Sequence, residues 1–117
     1  MQYHNNKMRK IYRTDEFNLF FETADQRLRE KIVYISEIIA TQTIINTKIA
    51  KRLVNTDLYE IRIKTDNEYR ILTFTMDNKD INQCKKLIFI NAFKKKDTKD
   101  YNKHIKVAIK ILEQWGQ

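Results

Sequence analysis

The sequence predicts an α+β fold in one domain: an N-terminal helical hairpin laid over a sheet of four strands, with a helix at the C-terminal end. Three observations predict it. Residues 58–64 (LYEIRIK) alternate apolar and polar side chains and are followed, across a short polar turn, by a second extended run at 69–76 (YRILTFTM). Residues 25–39 and 98–114 instead place apolar side chains three and four apart, the spacing of one helix face. A chain of 117 residues with 42% hydrophobic content is long enough to bury one core and too short for two.

Taken in order, residues 8–13 (MRKIYR) alternate apolar and basic side chains and read as a first strand. Thr14 or Asp15 can cap a helix through EFNLFFETA, and a second helix from about Asp25 to Ile39 carries Leu28, Ile32, Ile35 and Ile39 on one face. The stretch TQTIINTKIAKRLVNT has no clean period and is expected to be an irregular or partly helical approach to the sheet. Two strands follow at 58–64 and 69–76. KLIFINAF (86–93), apolar on both faces, reads as a central strand. The polar connection Asp77–Lys85 is expected to be a mobile surface loop. In the final helix the stripe Tyr101, Ile105, Ala108, Leu112, Trp115 sets the buried face and anchors the helix to the core, with Asp97 as N-cap and Asp100 completing a capping box.

Composition narrows the class. The chain has 23 Lys+Arg against 15 Asp+Glu, a net charge of +8, and from Lys51 onward the surplus is six against two in the first fifty residues. Such a field attracts nucleic acid or another polyanion. Cys84 has no partner for a disulfide, no apolar run approaches membrane-spanning length, and there is no signal-peptide pattern, so a cytoplasmic protein with no membrane association is expected. Two distant histidines and one cysteine make no zinc site, so neither metal nor cofactor is expected. With one glycine and no proline, tight turns must be built from Asn, Asp, Ser or Thr.

The hairpin carries the sharpest clue. If its loop is Thr65-Asp66-Asn67 with Asn67 left-handed, Lys64 pairs with Glu68 and Arg62 lies directly opposite Arg70. Two facing arginines repel, so either an anion sits between them or Glu60, two residues along on the same face, compensates them. The run Lys94-Lys95-Lys96 is either a solvated strand end or part of a polyanion site. Tyr101 is either a core residue with its hydroxyl at the rim or a group facing a ligand. Lys51 and Arg52 form a further basic pair, and His104, off the apolar stripe, reads as an exposed helix residue.

The runs LYEIRIKTDNEYRILTFT and FINAFKKKDTKDYNKHIKVAIKIL together resemble the RelE/HigB superfamily of bacterial toxins, especially its phage-derived HigB-like (Gp49-like) branch. There a Leu-Tyr-Glu-Leu-Arg strand, a Tyr-Arg-Ile strand, a Phe-x-Lys-Lys segment and a last helix with a late alanine occur in this order. The resemblance implies a RelE-like fold, a twisted, mostly antiparallel four-stranded sheet with helices packed on one face. It also implies the toxin of a type II toxin–antitoxin system, an mRNA interferase that enters the ribosome, cuts mRNA and so inhibits translation. Its partners would be the ribosome, mRNA and a cognate antitoxin, a helix-turn-helix HigA-like protein.

Carried over by position, the resemblance assigns Arg62, Arg70, Lys95, Tyr101 and Glu60 to catalysis by metal-independent attack of a 2′-hydroxyl. Arg62 and Arg70 would grip the phosphate, Lys95 would stabilise developing charge or protonate the leaving 5′-oxygen, and Tyr101 would stack on a base or share in proton transfer. Glu60 would orient an arginine or act as base. Many HigB-like members have Thr-Pro where this chain has Asp100-Tyr101, so the tyrosine assignment follows the RelE side. Lys51, Arg52, Lys94 and Lys96 would bind RNA and ribosome backbone. The rival readings are a ParE-like gyrase inhibitor on the same fold and a non-catalytic nucleic-acid-binding module.

Overall fold

The computed structural model describes residues 8–116. Its elements run β1 (Lys10–Arg13), α1 (Asp15–Thr23), α2 (Gln26–Thr41), β2 (Ala50–Arg52), β3 (Leu58–Lys64), β4 (Glu68–Thr75), β5 (Lys86–Lys94) and α3 (Thr98–Gln114). The caps are those the sequence offers: Thr14 for α1, Asp25 for α2 and Asp97 for α3 each accept a hydrogen bond from the backbone N–H three residues on. Asp100 does not reach back to complete a capping box. Its carboxylate turns toward His104 instead.

The α+β class holds, with two corrections to its details. The sheet has five strands in the order β1-β5-β4-β3-β2, and it is mixed: β1 runs parallel to β5 while the other neighbours are antiparallel. The added strand is β2, only three residues long and paired to β3 through Ala50–Ile61, Lys51–Glu60 and Arg52–Tyr59, which is too short for an alternating pattern to declare itself. The helices also do not share one face. The α1–α2 hairpin packs Phe17, Leu28, Ile32, Ile35 and Ile39 with Ile61, Ile63, Ile71, Leu87 and Phe89, while Ala108, Tyr101, Ile105 and Leu112 of α3 pack with Leu58, Leu72, Ile88, Ile90 and Phe93 on the other. Both faces of β5 are therefore covered, which is why its sequence is continuously apolar.

The β3–β4 hairpin has the anticipated register, with Lys64 opposite Glu68 and Arg62 opposite Arg70. Its turn needs no left-handed Asn67: Thr65 N–H donates to the Asn67 carbonyl, and Asn55, between β2 and β3, is the one non-glycine residue with positive φ (64°) among the described residues. The 77–85 connection is tied down. The Asp77 carboxylate accepts from the Lys85 and Lys86 N–H groups, Ile81 and Cys84 are buried, and the Arg9 guanidinium, 1% exposed, donates to the Ile81 and Asn82 carbonyls as well as to those of Ile39, Gln42 and Thr43.

One irregularity positions the site. Between β4 and β5 the register shifts at Leu72/Thr73, so that Thr73 opposes Phe89 while Leu72 opposes Asn91, leaving Ile90 as an extra residue. Before this bulge the odd-numbered β5 residues Leu87 and Phe89 face the α1–α2 hairpin. After it, odd-numbered Phe93 faces α3, directly opposite Arg70.

Candidate functional site

Strand alternation puts Glu60 and Arg62 of β3 and Glu68 and Arg70 of β4 on the α3 side of the sheet. At their centre is Glu60, 5% exposed. One carboxylate oxygen, Oε1, accepts from the Tyr101 hydroxyl on the first turn of α3. The other, Oε2, lies 2.6 Å from Arg62 Nε and 3.7 Å from Arg70 Nε. The place between the two facing arginines is thus filled by the protein's own carboxylate, so no external anion is needed to reconcile them.

The two arginines differ. Arg70 has a buried side chain whose Nη1 donates to the Tyr69 carbonyl at 3.0 Å and whose Nη2 meets Glu68 Oε1 at 3.2 Å. Arg62 is 37% exposed and its terminal nitrogens point to no protein acceptor. Of the pair, Arg62 is the one open to a ligand.

Burial alone would raise the Glu60 carboxyl, but the hydrogen bonds from Tyr101 and Arg62 and the charges of both arginines outweigh it and hold the group below its usual value. Burial, reinforced by the neighbouring carboxylate, pushes the Tyr101 phenol well above the ordinary tyrosine value. At neutral pH the pair is therefore carboxylate and phenol. Glu60 is a weak base, and Tyr101 is a proton-bearing donor.

The remaining basic candidates sort by face. Lys51 opposes Glu60 across β2–β3 and so lies on the site's side of the sheet. Arg52 opposes Tyr59 on the reverse side, where it contacts Asp57 and the Lys79 carbonyl. Lys94 opposes Tyr69 and likewise belongs to the reverse side. Lys95 is exposed, its N–H bonded to the Glu68 carbonyl, and its charge reaches the Glu68 carboxylate. Lys96 is exposed in the turn before α3.

Two aromatic neighbours extend the site beyond the residues read from the sequence. Phe93 meets Tyr101 edge-on at 5.3 Å and stacks nearly coplanar with the His104 ring at 3.8 Å and 5°. His104 Nε2 lies 3.2 Å from Asp100 Oδ2. His104 is thus packed against the site and partly covered, not a free helix residue. Its three-residue spacing from Tyr101 and four-residue spacing from Asp100 were the available signals.

Among the described residues no group of three or more His, Cys, Asp or Glu could hold a metal ion, and no helix is long and apolar enough to cross a membrane. No curated protein matches the chain. The family model for phage derived protein Gp49-like (DUF891) does match, over residues 19–113, and across that span it takes in every element from α1 to α3 that builds the arginine–glutamate–tyrosine face. The protein therefore belongs to this Gp49-like family, a family of RelE-like toxins in toxin–antitoxin systems.

Proposed function

We propose that the protein is the toxin of a type II pair and acts as a ribosome-dependent mRNA endoribonuclease. The observation that carries this reading is the convergence of Glu60, Arg62, Arg70 and Tyr101 on one sheet face, with Lys51 on the same face and Lys95 at its end. The family implies an antitoxin partner, and we place a helix-turn-helix protein of the HigA-like kind in that role.

In the proposed reaction the 2′-hydroxyl of one nucleotide attacks the adjacent phosphorus as the 5′-oxygen leaves. The Arg62 guanidinium, with its free outward edge, grips the phosphate oxygens. Lys95 stabilises the charge that develops on the phosphate or the departing oxygen. Tyr101, held protonated, stacks on a base or donates a hydrogen bond, and Glu60 orients both it and Arg62. The lowered Glu60 carboxyl supports this orienting role over that of general base. With no strong base in the set, in-line positioning has to come from the substrate's surroundings, which supports dependence on the ribosome. Lys51 extends the contact to the RNA backbone.

Induced expression of wild type beside Arg62→Ala and Lys95→Ala, with mapping of transcript 5′ ends, tests the reading. New ends inside translated frames that vanish in both variants, together with restored growth, are expected, as is cleavage by purified protein only when ribosomes are present. Growth arrest with unaltered transcripts would overturn it in favour of a gyrase-type target, and neither effect would leave a non-catalytic binding module.

A further inference from the structure

Two carboxylates contact Arg70, and they are held very differently. Glu60 is enclosed, with a side chain 7% exposed and bonds from Tyr101 and Arg62. Glu68 is open: its side chain is 51% exposed and its carboxylate makes one hydrogen bond, to Arg70 Nη2 at 3.2 Å. Arg70 itself is the reverse of a surface arginine. Its side chain is 6% exposed, and its Nε is buried without a hydrogen-bond partner.

An exposed carboxylate on a buried guanidinium is weakly retained, because water and salt screen the pair and freeing the carboxylate returns side-chain entropy. Only the side chain must move, since the Glu68 backbone stays fixed by the Lys95 N–H bond to its carbonyl at 2.8 Å. Lys95 also acts on the Glu68 carboxylate, so two cations converge where that carboxylate now lies.

On the reading that this face binds RNA, we propose that Glu68 is a displaceable cap on an anion subsite at Arg70. A backbone phosphate takes the place of its carboxylate, held by Arg70 Nη2 and Lys95, while Arg62 holds a second phosphoryl oxygen or the neighbouring phosphate. Glu60 stays in place and keeps the arginines apart. Arg70 is thus a substrate-binding residue only after Glu68 swings away.

The test is binding of a short, uncleavable 2′-O-methyl single-stranded RNA, followed by fluorescence anisotropy across a salt series. Glu68→Gln is compared with Asp66→Asn, which removes the same charge from the neighbouring turn, where Asp66 is 82% exposed and paired with Arg27. The expected result is a tightening of about tenfold for Glu68→Gln, the size of one charge-assisted contact, against less than about twofold for Asp66→Asn. The gain should vanish in an Arg70→Gln background and shrink in a Lys95→Ala background, the second guarding against misfolding of the first. Equal effects of Glu68→Gln and Asp66→Asn, with wild type still binding in a salt-dependent way, would overturn the cap and leave the RNA reading standing. Absence of binding by every variant would overturn both.

Discussion

Glu60→Ala should damage the protein more than any single exposed charge, and its cost can be worked from the contacts. The substitution removes the acceptor of the Tyr101 hydroxyl and of Arg62 Nε, and it leaves Arg70, with a side chain 6% exposed, without the enclosed counter-charge at 3.7 Å. The Arg62 bond is discounted because that side chain is 37% exposed to screening water. The dominant loss is a buried cation stripped of its partner, about 3–5 kcal/mol. Glu60→Gln keeps an acceptor for Tyr101 and fills the space, so only the charge-assisted bond to Arg62 and the attraction to Arg70 are lost, about 1.5–3 kcal/mol. Urea titration followed by circular dichroism reads both differences, and melting should fall by about 12 °C or more for the alanine variant. The pH dependence adds a second readout. Because the fold holds this carboxyl below its ordinary value of 4.5, the native state takes up its proton less readily than the unfolded chain. The stabilisation is then present above that value and lost as pH falls through the lower folded one. Glu60→Gln should therefore flatten the acid limb of the stability curve. An alanine variant within about 1 kcal/mol of wild type, or an unchanged acid limb in the glutamine variant, would refute the argument.

Tyr101 gives the opposite pH signature. Its phenol is raised above the ordinary value of 10, so the native state retains a proton that the unfolded chain releases, and stability falls as pH rises from that value through the higher folded one. In Tyr101→Phe this alkaline loss should disappear from pH-jump unfolding measurements, while neutral stability drops by about 1–2 kcal/mol for the lost hydrogen bond and the ring contact with Phe93 persists. The facial sorting of the lysines and arginines predicts a second contrast. Lys51→Ala should lower the slope of log affinity against log salt for single-stranded RNA by roughly 0.7, whereas Arg52→Ala, on the reverse of the sheet, should leave it unchanged.

Much of this was legible in the chain because two periodicities are written plainly. The four-residue and three-residue steps from Leu28 to Ile39 and from Tyr101 to Leu112 mark the buried faces of α2 and α3. The short polar turn after LYEIRIK was enough to set Arg62 against Arg70. What stayed hidden was non-local. Three residues of β2 carry too little pattern to read, and the parallel pairing of β1 with β5 joins segments far apart in sequence. His104 looked solvated because its partner Phe93 lies on another element and reaches it only through the Ile90 bulge. Whether an anion or Glu60 would fill the gap between the arginines depended on a side-chain distance that no spacing rule supplies.

Strand β5 consequently has a reading frame of its own. Shortening it by one residue at Ile90 would preserve composition, charge and every downstream motif, yet would exchange the sides of all that follow, sending Phe93 under the helical hairpin and bringing Lys94 into its place opposite Arg70. Among relatives of this chain, length changes in the 42–49 or 77–85 connections leave that phase untouched, whereas a single-residue gap between Phe89 and Phe93 silences the face while leaving a protein that still looks, by its sequence motifs, like an intact toxin.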